Sequence, residues 1–155
     1  MGKGITYQVE PLAEFLEELQ PLLEQHYEEV AMYKDYIKLD PDYDKYLALD
    51  AAGVLHCVTV RAAGTLIGYF ISFVHPHIHY KETEYAVNDI LYLDPEYRGT
   101  NVAVKLFMFA EEKLKEEGVD VIVLHMKTSL PFESLAKFLH YDKAEYNYSK
   151  YIGEK

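Results

Sequence analysis

Ile5-Thr6-Tyr7-Gln8-Val9 alternates apolar and polar residues as a short strand does, and after Pro11 the rhythm changes. Leu12, Phe15, Leu16 and Leu19 follow the i, i+3, i+4, i+7 spacing of a helix with one apolar stripe. Pro21 is expected to restart that helix, giving a second one from about Leu22 to Tyr36 with Leu22, Leu23, His26, Tyr27, Val30 and Met32 on its less polar side. Leu39-Asp40-Pro41-Asp42-Tyr43-Asp44 reads as a turn-rich connection, and Tyr46 to Leu49 as one further helical turn. Three β-rich runs follow, Val54–Arg61, Leu66–Val74 and Glu84–Leu93, the first two joined by the hairpin turn Ala62-Ala63-Gly64-Thr65. Their nearly continuous apolar content predicts a sheet covered on both faces. After Gly99 the period becomes helical again, with Val102, Ala103, Leu106, Phe107, Ala110 and Leu114 on one stripe, ended by Gly118. Val119–Leu124 is expected as a buried strand, Phe132–Leu139 as a short helix and Ala144–Tyr151 as a last strand. A strand, a helix and a strand in succession make a crossover, so part of the sheet is expected to be parallel.

The chain has 155 residues, enough for one domain over 1–155 with a proper core, and no apolar run long enough to span a membrane. The start, Met1-Gly2-Lys3-Gly4-Ile5, leads into a strand pattern without a basic-plus-apolar leader. Cys57 is the only cysteine, so an internal disulfide is excluded and a reducing cytoplasm is the expected compartment. The net charge of −11 argues against a nucleic-acid partner, which is normally met by a basic face. That charge is uneven: residues 1–50 carry 12 acids against 4 bases, residues 101–155 carry 9 against 8. An acidic first third could attract a cation while the rest holds an anion.

The order β-α-α-β-β-β-α-β-α-β, an α/β (α+β) arrangement with a mixed, mostly antiparallel sheet flanked by helices, and the phrase Tyr92-Leu93-Asp94-Pro95-Glu96-Tyr97-Arg98-Gly99 together resemble the GNAT superfamily of acetyl-CoA-dependent N-acetyltransferases. The chain is most similar to its short bacteriophage-encoded members, through Val87-Asn88-Asp89-Ile90-Leu91 and the closing Asn147-Tyr148-Ser149-Lys150. The family's cofactor motif, Gln/Arg-x-x-Gly-x-Gly/Ala, reads here Arg98-Gly99-Thr100-Asn101-Val102-Ala103, with Asn101 in place of the central glycine. Independently of any family, a strand, a tight turn and a helix N-terminus concentrate unpaired amides and the positive end of the helix dipole, which suits a pyrophosphate. The resemblance implies acetyl-CoA as cofactor, held by Leu91, Tyr92 and Leu93 on the strand and by the amides from Arg98 to Ala103, with Thr100 and Asn101 adding side-chain bonds. Asn101 is expected to take up the left-handed backbone that glycine would adopt.

Acyl transfer to an amine needs a base, because only the neutral amine attacks a thioester. Asp89 lies four residues before Leu93, where some family members place a Glu for this role; Glu28 and Glu84 are reserve candidates on the acceptor side. In a regular strand Asn88 and Asp89 face opposite ways, so only one reaches a cleft unless a bulge intervenes. Many members protonate the departing thiolate with a Tyr on the last helix, before a Leu-Gly-Phe tripeptide. Here Leu139-His140-Tyr141 stands there and Ala136 falls at the Tyr position, which leaves Tyr146 or Tyr148, solvent, or weak catalysis. His75, His77 and His79 alternate, but in a loop-like lip between strands they read as rim residues rather than a metal site, and Cys57 reads as a small core residue. Acceptors that fit the acidic side are a polyamine, an amino sugar or a protein amino group. The alternative is a catalytically weak GNAT-fold binding or inhibitor protein, phage-encoded and acting through its acidic face on a host partner. Tyr146, Tyr148 and Tyr151 on a late strand also suggest a homodimer.

Overall fold

Five alternating segments pair into one sheet in the order of the chain: β1 (Ile5–Val9), β2 (Leu55–Ala62), β3 (Thr65–His77), β4 (Tyr80–Leu93) and β5 (Val121–Val123). The first three pairings are antiparallel and β4 with β5 is parallel, so the sheet is mixed as the crossover required. This is a computed structural model describing residues 4–154; the leaderless start read on Met1 to Lys3 lies outside the described residues. The helices are α1 (Leu12–Val30), α2 (Tyr43–Ala51), α3 (Asn101–Glu116) and α4 (Glu133–Phe138), in the expected order between the strands. Among the described residues no helix is long and apolar enough to cross a membrane.

Adjacent strand residues point to opposite faces, and each face has its own helical cover. Leu12, Phe15 and Leu19 of α1 bury against Cys57, Tyr69, Ile71 and Tyr92, with Tyr46 and Leu47 of α2 packed alongside. On the other face Val102, Leu106, Phe107 and Ala110 of α3 bury against Val58, Val60, Phe70 and Leu93. Each such large side chain contributes about 1.5–3 kcal/mol by leaving water. Cys57 belongs to the first cluster, and burial pushes its thiol up to about 12, which suits packing and not nucleophilic chemistry.

Five expectations change, the first being that the buried strand expected over Val119–Leu124 is the three-residue, half-buried β5. Pro21 does not restart a helix: α1 is continuous through it, because the buried stripe Leu12, Phe15, Leu19 and Leu23 holds the axis on both sides. The helix then stops at Val30 instead of continuing to Tyr36. The β3–β4 hairpin is longer than its apolar run and turns at Ile78 and His79, so His75 and His77 lie on a strand; this ribbon extends past the helical cover and has no buried face to write an alternating pattern. The segment Ala144–Tyr151 forms no ladder; it is extended chain, tied to the α1–α2 connection by Tyr33 with Ser149 (2.9 Å) and by stacking of Tyr151 on Tyr36. The late-strand argument for a dimer loses its strand with it.

The end of α4 shows why Leu139-His140-Tyr141 replaces a glycine-containing tripeptide at a cost. His140 N donates to Lys137 O (3.0 Å) and Tyr141 N to Ala136 O (2.9 Å), the paired bonds of a Schellman cap, and His140 sits at φ +65° in the position that favours glycine. His140→Gly is therefore expected to raise stability by about 1 kcal/mol, read as a higher urea midpoint with an unchanged slope. An unchanged or lower midpoint would contradict it.

Candidate active site

β4 builds the site because its two ladders fail at neighbouring points. Against β3, Ile71 faces Ile90 but the next residue, Ser72, faces Asn88. Asp89 is thus the extra residue of a β-bulge, which re-aims a side chain that regular alternation would place elsewhere. Its Oδ2 accepts a hydrogen bond from the Tyr46 hydroxyl of α2 at 2.5 Å, on the face covered by α1 and α2. Against β5, backbone pairing covers only Tyr85–Val121, Ala86–Ile122 and Val87–Val123. One residue further the Asn88 side chain takes over: Nδ2 donates to His125 O (3.0 Å) and Oδ1 accepts from His125 N (2.5 Å). Beyond that clasp Asp89 to Leu93 have no strand partner on the β5 side among the described residues, which leaves a wedge between the end of β4 and the chain leaving β5.

The wedge runs toward a turn rich in amides. After Leu93, Asp94 caps a 3-10 turn over Pro95–Tyr97, accepting from Glu96 N at 2.9 Å. Gly99 has φ +71°, and a Cβ there would meet nothing within 4 Å, so glycine is required by backbone conformation and not by crowding. Asn101 is corrected here: it is the first residue of α3 with an ordinary φ, and the left-handed position falls two residues earlier. The Thr100 hydroxyl is also committed, accepting from Val102 N (3.2 Å) and donating its one hydrogen to Tyr97 O (2.5 Å), so it has no free donor for a phosphate. The Arg98 amide donates to Pro95 O at 3.3 Å, whereas those of Gly99, Thr100 and Asn101 donate to no described residue. The expected cradle of six amides thereby narrows to Gly99–Asn101, joined by Ala103 in the first turn of α3. Leu91 is half-buried beside the wedge, while Tyr92 and Leu93 are 3% and 9% exposed and present mainly backbone to it.

Arg98 serves the frame. Its Nε donates to Leu93 O (2.6 Å), its Nη2 to both oxygens of Glu29 (3.0 and 2.8 Å), and its guanidinium lies 5.3 Å from the centre of the Tyr92 ring. The turn is thereby tied to the last part of α1. Burial raises the Asp89 carboxyl above the ordinary aspartate range, and the bond from Tyr46 pulls it part of the way back. Burial, then the bond to Asp89, holds the Tyr46 phenol far above its ordinary value, so it is a neutral donor. His26 of α1 lies 5.6 Å from the Tyr92 ring centre, and burial lowers it, which keeps it uncharged at neutral pH. The Tyr69 hydroxyl behind it is buried without a hydrogen-bond partner among the described residues.

Other candidates fall elsewhere. Glu28 is exposed and pairs with Lys34 at 3.2 Å, whereas its neighbour Glu29 faces the site. Glu84 sits five residues before Asp89, about 16 Å along an extended strand, beside Asp120. Tyr146 and Tyr148 are 73% and 94% exposed. The ring of His77 packs against Tyr80 and Tyr85 (5.0 and 4.7 Å), and no group of three or more His, Cys, Asp or Glu among the described residues is arranged to hold a metal ion. Tyr46 and His26 had no role in the site from the sequence, and Glu29 only a share in the acidic face that would attract a cation; the one available signal for Tyr46 was Asp42, which caps α2 by accepting from Lys45 N and so fixes where Tyr46 sits.

Residues 13–138 match the family described as Acetyltransferase (GNAT) family. Among solved structures the chain is similar to an aminoglycoside acetyltransferase from an uncultured soil metagenomic sample in complex with sisomicin, at 15% identity over 98% of this chain and 97% of that one, with a TM-score of 0.75. It is also similar to a ribosomal-protein-alanine N-acetyltransferase from Brucella melitensis biovar Abortus 2308 (20% identity, 97% and 99% covered, TM-score 0.66). A third is a predicted acetyltransferase with acetyl-CoA from Clostridium acetobutylicum (15% identity, 96% of each chain, TM-score 0.69). No curated protein matches the chain in sequence. At these identities the structures speak for the fold, while the family match covers most of the length: the chain belongs to the acetyltransferase (GNAT) family.

Proposed function

We propose that the protein, a single cytoplasmic domain, transfers the acetyl group of acetyl-CoA directly to a primary amine of a cationic acceptor, with Asp89 as proton acceptor. The observation that carries this reading is the wedge beside β4, which ends at the free amides of Gly99–Asn101 and has a bulged carboxylate at its inner end. Gly99, Thr100, Asn101 and Ala103 would hold the pyrophosphate through their amides, and the backbone of Leu91 to Leu93 would flank the pantetheine arm. Acetyl-CoA when bound supplies the thioester carbonyl and the thiolate leaving group. Asp89 removes a proton from the ammonium form of the acceptor, so that a neutral nitrogen is available. The second proton, which the nitrogen sheds as the amide forms, would pass through solvent in the open wedge to the thiolate, since α4 carries no tyrosine over Glu133–Phe138. The acid-rich face of α1, with Glu14, Glu17, Glu24 and Glu28 exposed, raises the local concentration of a cation. The named relatives range from an aminoglycoside enzyme to one for a ribosomal-protein alanine, so a polyamine, an amino sugar and a protein amino group all stay on the acceptor panel.

Calorimetry tests this first. Acetyl-CoA is expected to bind with a Kd between about 1 μM and 1 mM, the usual range for an enzyme substrate. Absence of heat at millimolar cofactor would remove the transferase reading. The exposure of Tyr148 and the tyrosine-free α4 favour one rival, a catalytically weak binding protein of the bacteriophage kind. Tight binding with no turnover of any amine on the panel would select it.

A further inference from the structure

The two oxygens of Asp89 are treated differently. Oδ2 accepts from the Tyr46 hydroxyl at 2.5 Å, while Oδ1 has no described partner and is not among the polar atoms sealed away without one. We propose that Tyr46 is the positioning residue of the proton-accepting centre: α2 keeps its hydroxyl on Oδ2, so that Oδ1 alone faces the acceptor amine and receives its proton. This rests on the reading of Asp89 as base and adds the residue that aims it.

A carboxylate that rotates freely presents either oxygen in either direction, and a proton transfer needs one of them held within hydrogen-bond reach of the donor. The hydroxyl that fixes it is itself on a rigid element. Tyr46 N donates to Asp42 O (3.0 Å) in the capped first turn of α2, and at the far end of that helix Asp50 Oδ2 accepts from Leu12 N (2.8 Å), which ties α2 to α1. In the step itself an N–H bond of the ammonium breaks and an O–H bond forms at Oδ1, leaving a neutral amine beside a neutral carboxylic acid. That acid later returns its proton to solvent, while Tyr46 keeps its own throughout. Tyr43 on α2 acts on Tyr46 directly, and Tyr69 on β3 links Tyr46 to Tyr92 on β4 and to His26 and Glu29 on α1. Burial raises these tyrosines and the Asp89 carboxyl and lowers His26, and Glu29 is matched by Arg98.

The test is a carbon-13 titration of the aspartate carboxyl carbons in the full-length protein, with Asp89→Asn to assign the signal, followed by pH–rate profiles with acetyl-CoA and spermidine, sisomicin or a lysine peptide. Tyr46→Phe is expected to raise the Asp89 midpoint by about one pH unit, because a donor to the charged form is lost, and to move the acidic limb of kcat by the same amount without changing KM for acetyl-CoA. Should Tyr46→Phe fail to fold, 3-fluorotyrosine at position 46, a stronger donor of similar shape, is expected to move the midpoint downward. An Asp89 midpoint that stays put in the folded variant overturns the positioning role. A midpoint that moves while Asp89→Asn keeps full turnover overturns instead the base reading beneath it, so the two failures are distinguishable.

Discussion

Asp89→Asn is expected to lower kcat at neutral pH by about 10²- to 10⁴-fold, the usual contribution of a positioned base, while acetyl-CoA affinity stays unchanged within error. The amide is close in shape to the carboxylate, and its carbonyl oxygen can still accept from Tyr46, so the bulge and the wedge should survive. What is lost is the proton acceptor. At pH 7 an amine with a lysine-like pKa of about 10.4 is almost wholly charged, and only its small neutral fraction attacks. That fraction grows tenfold per pH unit, so the variant's rate should climb with the same slope and approach wild type near the amine's own pKa. A loss of equal size at every pH would point to disturbed geometry instead, and equal rates at neutral pH would remove Asp89 from the base role.

Half of this site was legible in the sequence, because half of it is local. The change of period at Gly99, the Asp94-Pro95 turn and the apolar stripe of α3 lie next to one another in the chain, and together they place a helix N-terminus at the end of a strand. The bulge is different. It is a property of β4 measured against β3, and nothing in Asn88-Asp89-Ile90 read alone says that Ser72 will pair one residue out of step. Tyr46 was hidden for a related reason: α2 is short, holds no fully buried residue, and follows a run of aspartates of which any could have been its cap. Glu28 and Glu29 are the same residue type one position apart. Only the rotation of α1 about its axis decides that Glu29 meets Arg98 while Glu28 meets Lys34.

The fold was clearest where a buried face imposed a period and faded where no face was buried. The stripe on α1 survived a proline in its middle because four large side chains hold the axis, a tertiary effect that overrides the local breaker. The outer part of the β3–β4 hairpin and the segment after Tyr141 have little buried area on either side. In the hairpin no alternating pattern is written at all, and in the segment Ala144–Tyr151 a pattern of period two cannot separate a strand from a tail held by tyrosine contacts.

The frame beneath the site depends on one guanidinium, and Arg61→Met is expected to cost about 3 kcal/mol, read as a lower urea midpoint. Arg61 of β2 is 12% exposed. Its Nη1 donates to Glu18 Oε2 and to Gly64 O (2.9 Å each), and its Nη2 to Glu18 Oε1 (2.8 Å) and Glu10 Oε2 (3.2 Å). A single side chain thus joins the β1–α1 connection, the second turn of α1 and the β2–β3 turn. Met keeps most of the stem's packing but leaves Glu10, itself 13% exposed, with Thr59 as its one hydrogen-bond donor among the described residues. Glu10→Gln should therefore recover part of the loss in the Arg61→Met background, although it is destabilising alone. The pH dependence has a definite sign. The bond from Arg61 holds the Glu18 carboxyl below its ordinary 4.5, so this pairing stabilises the fold above that pH and is lost as pH falls through the lower folded value. The gap between wild type and variant should be widest near neutrality and narrow below 4.5. A gap of the same size at both ends, or a loss under about 0.5 kcal/mol, would mean that α1 is held by its apolar stripe alone.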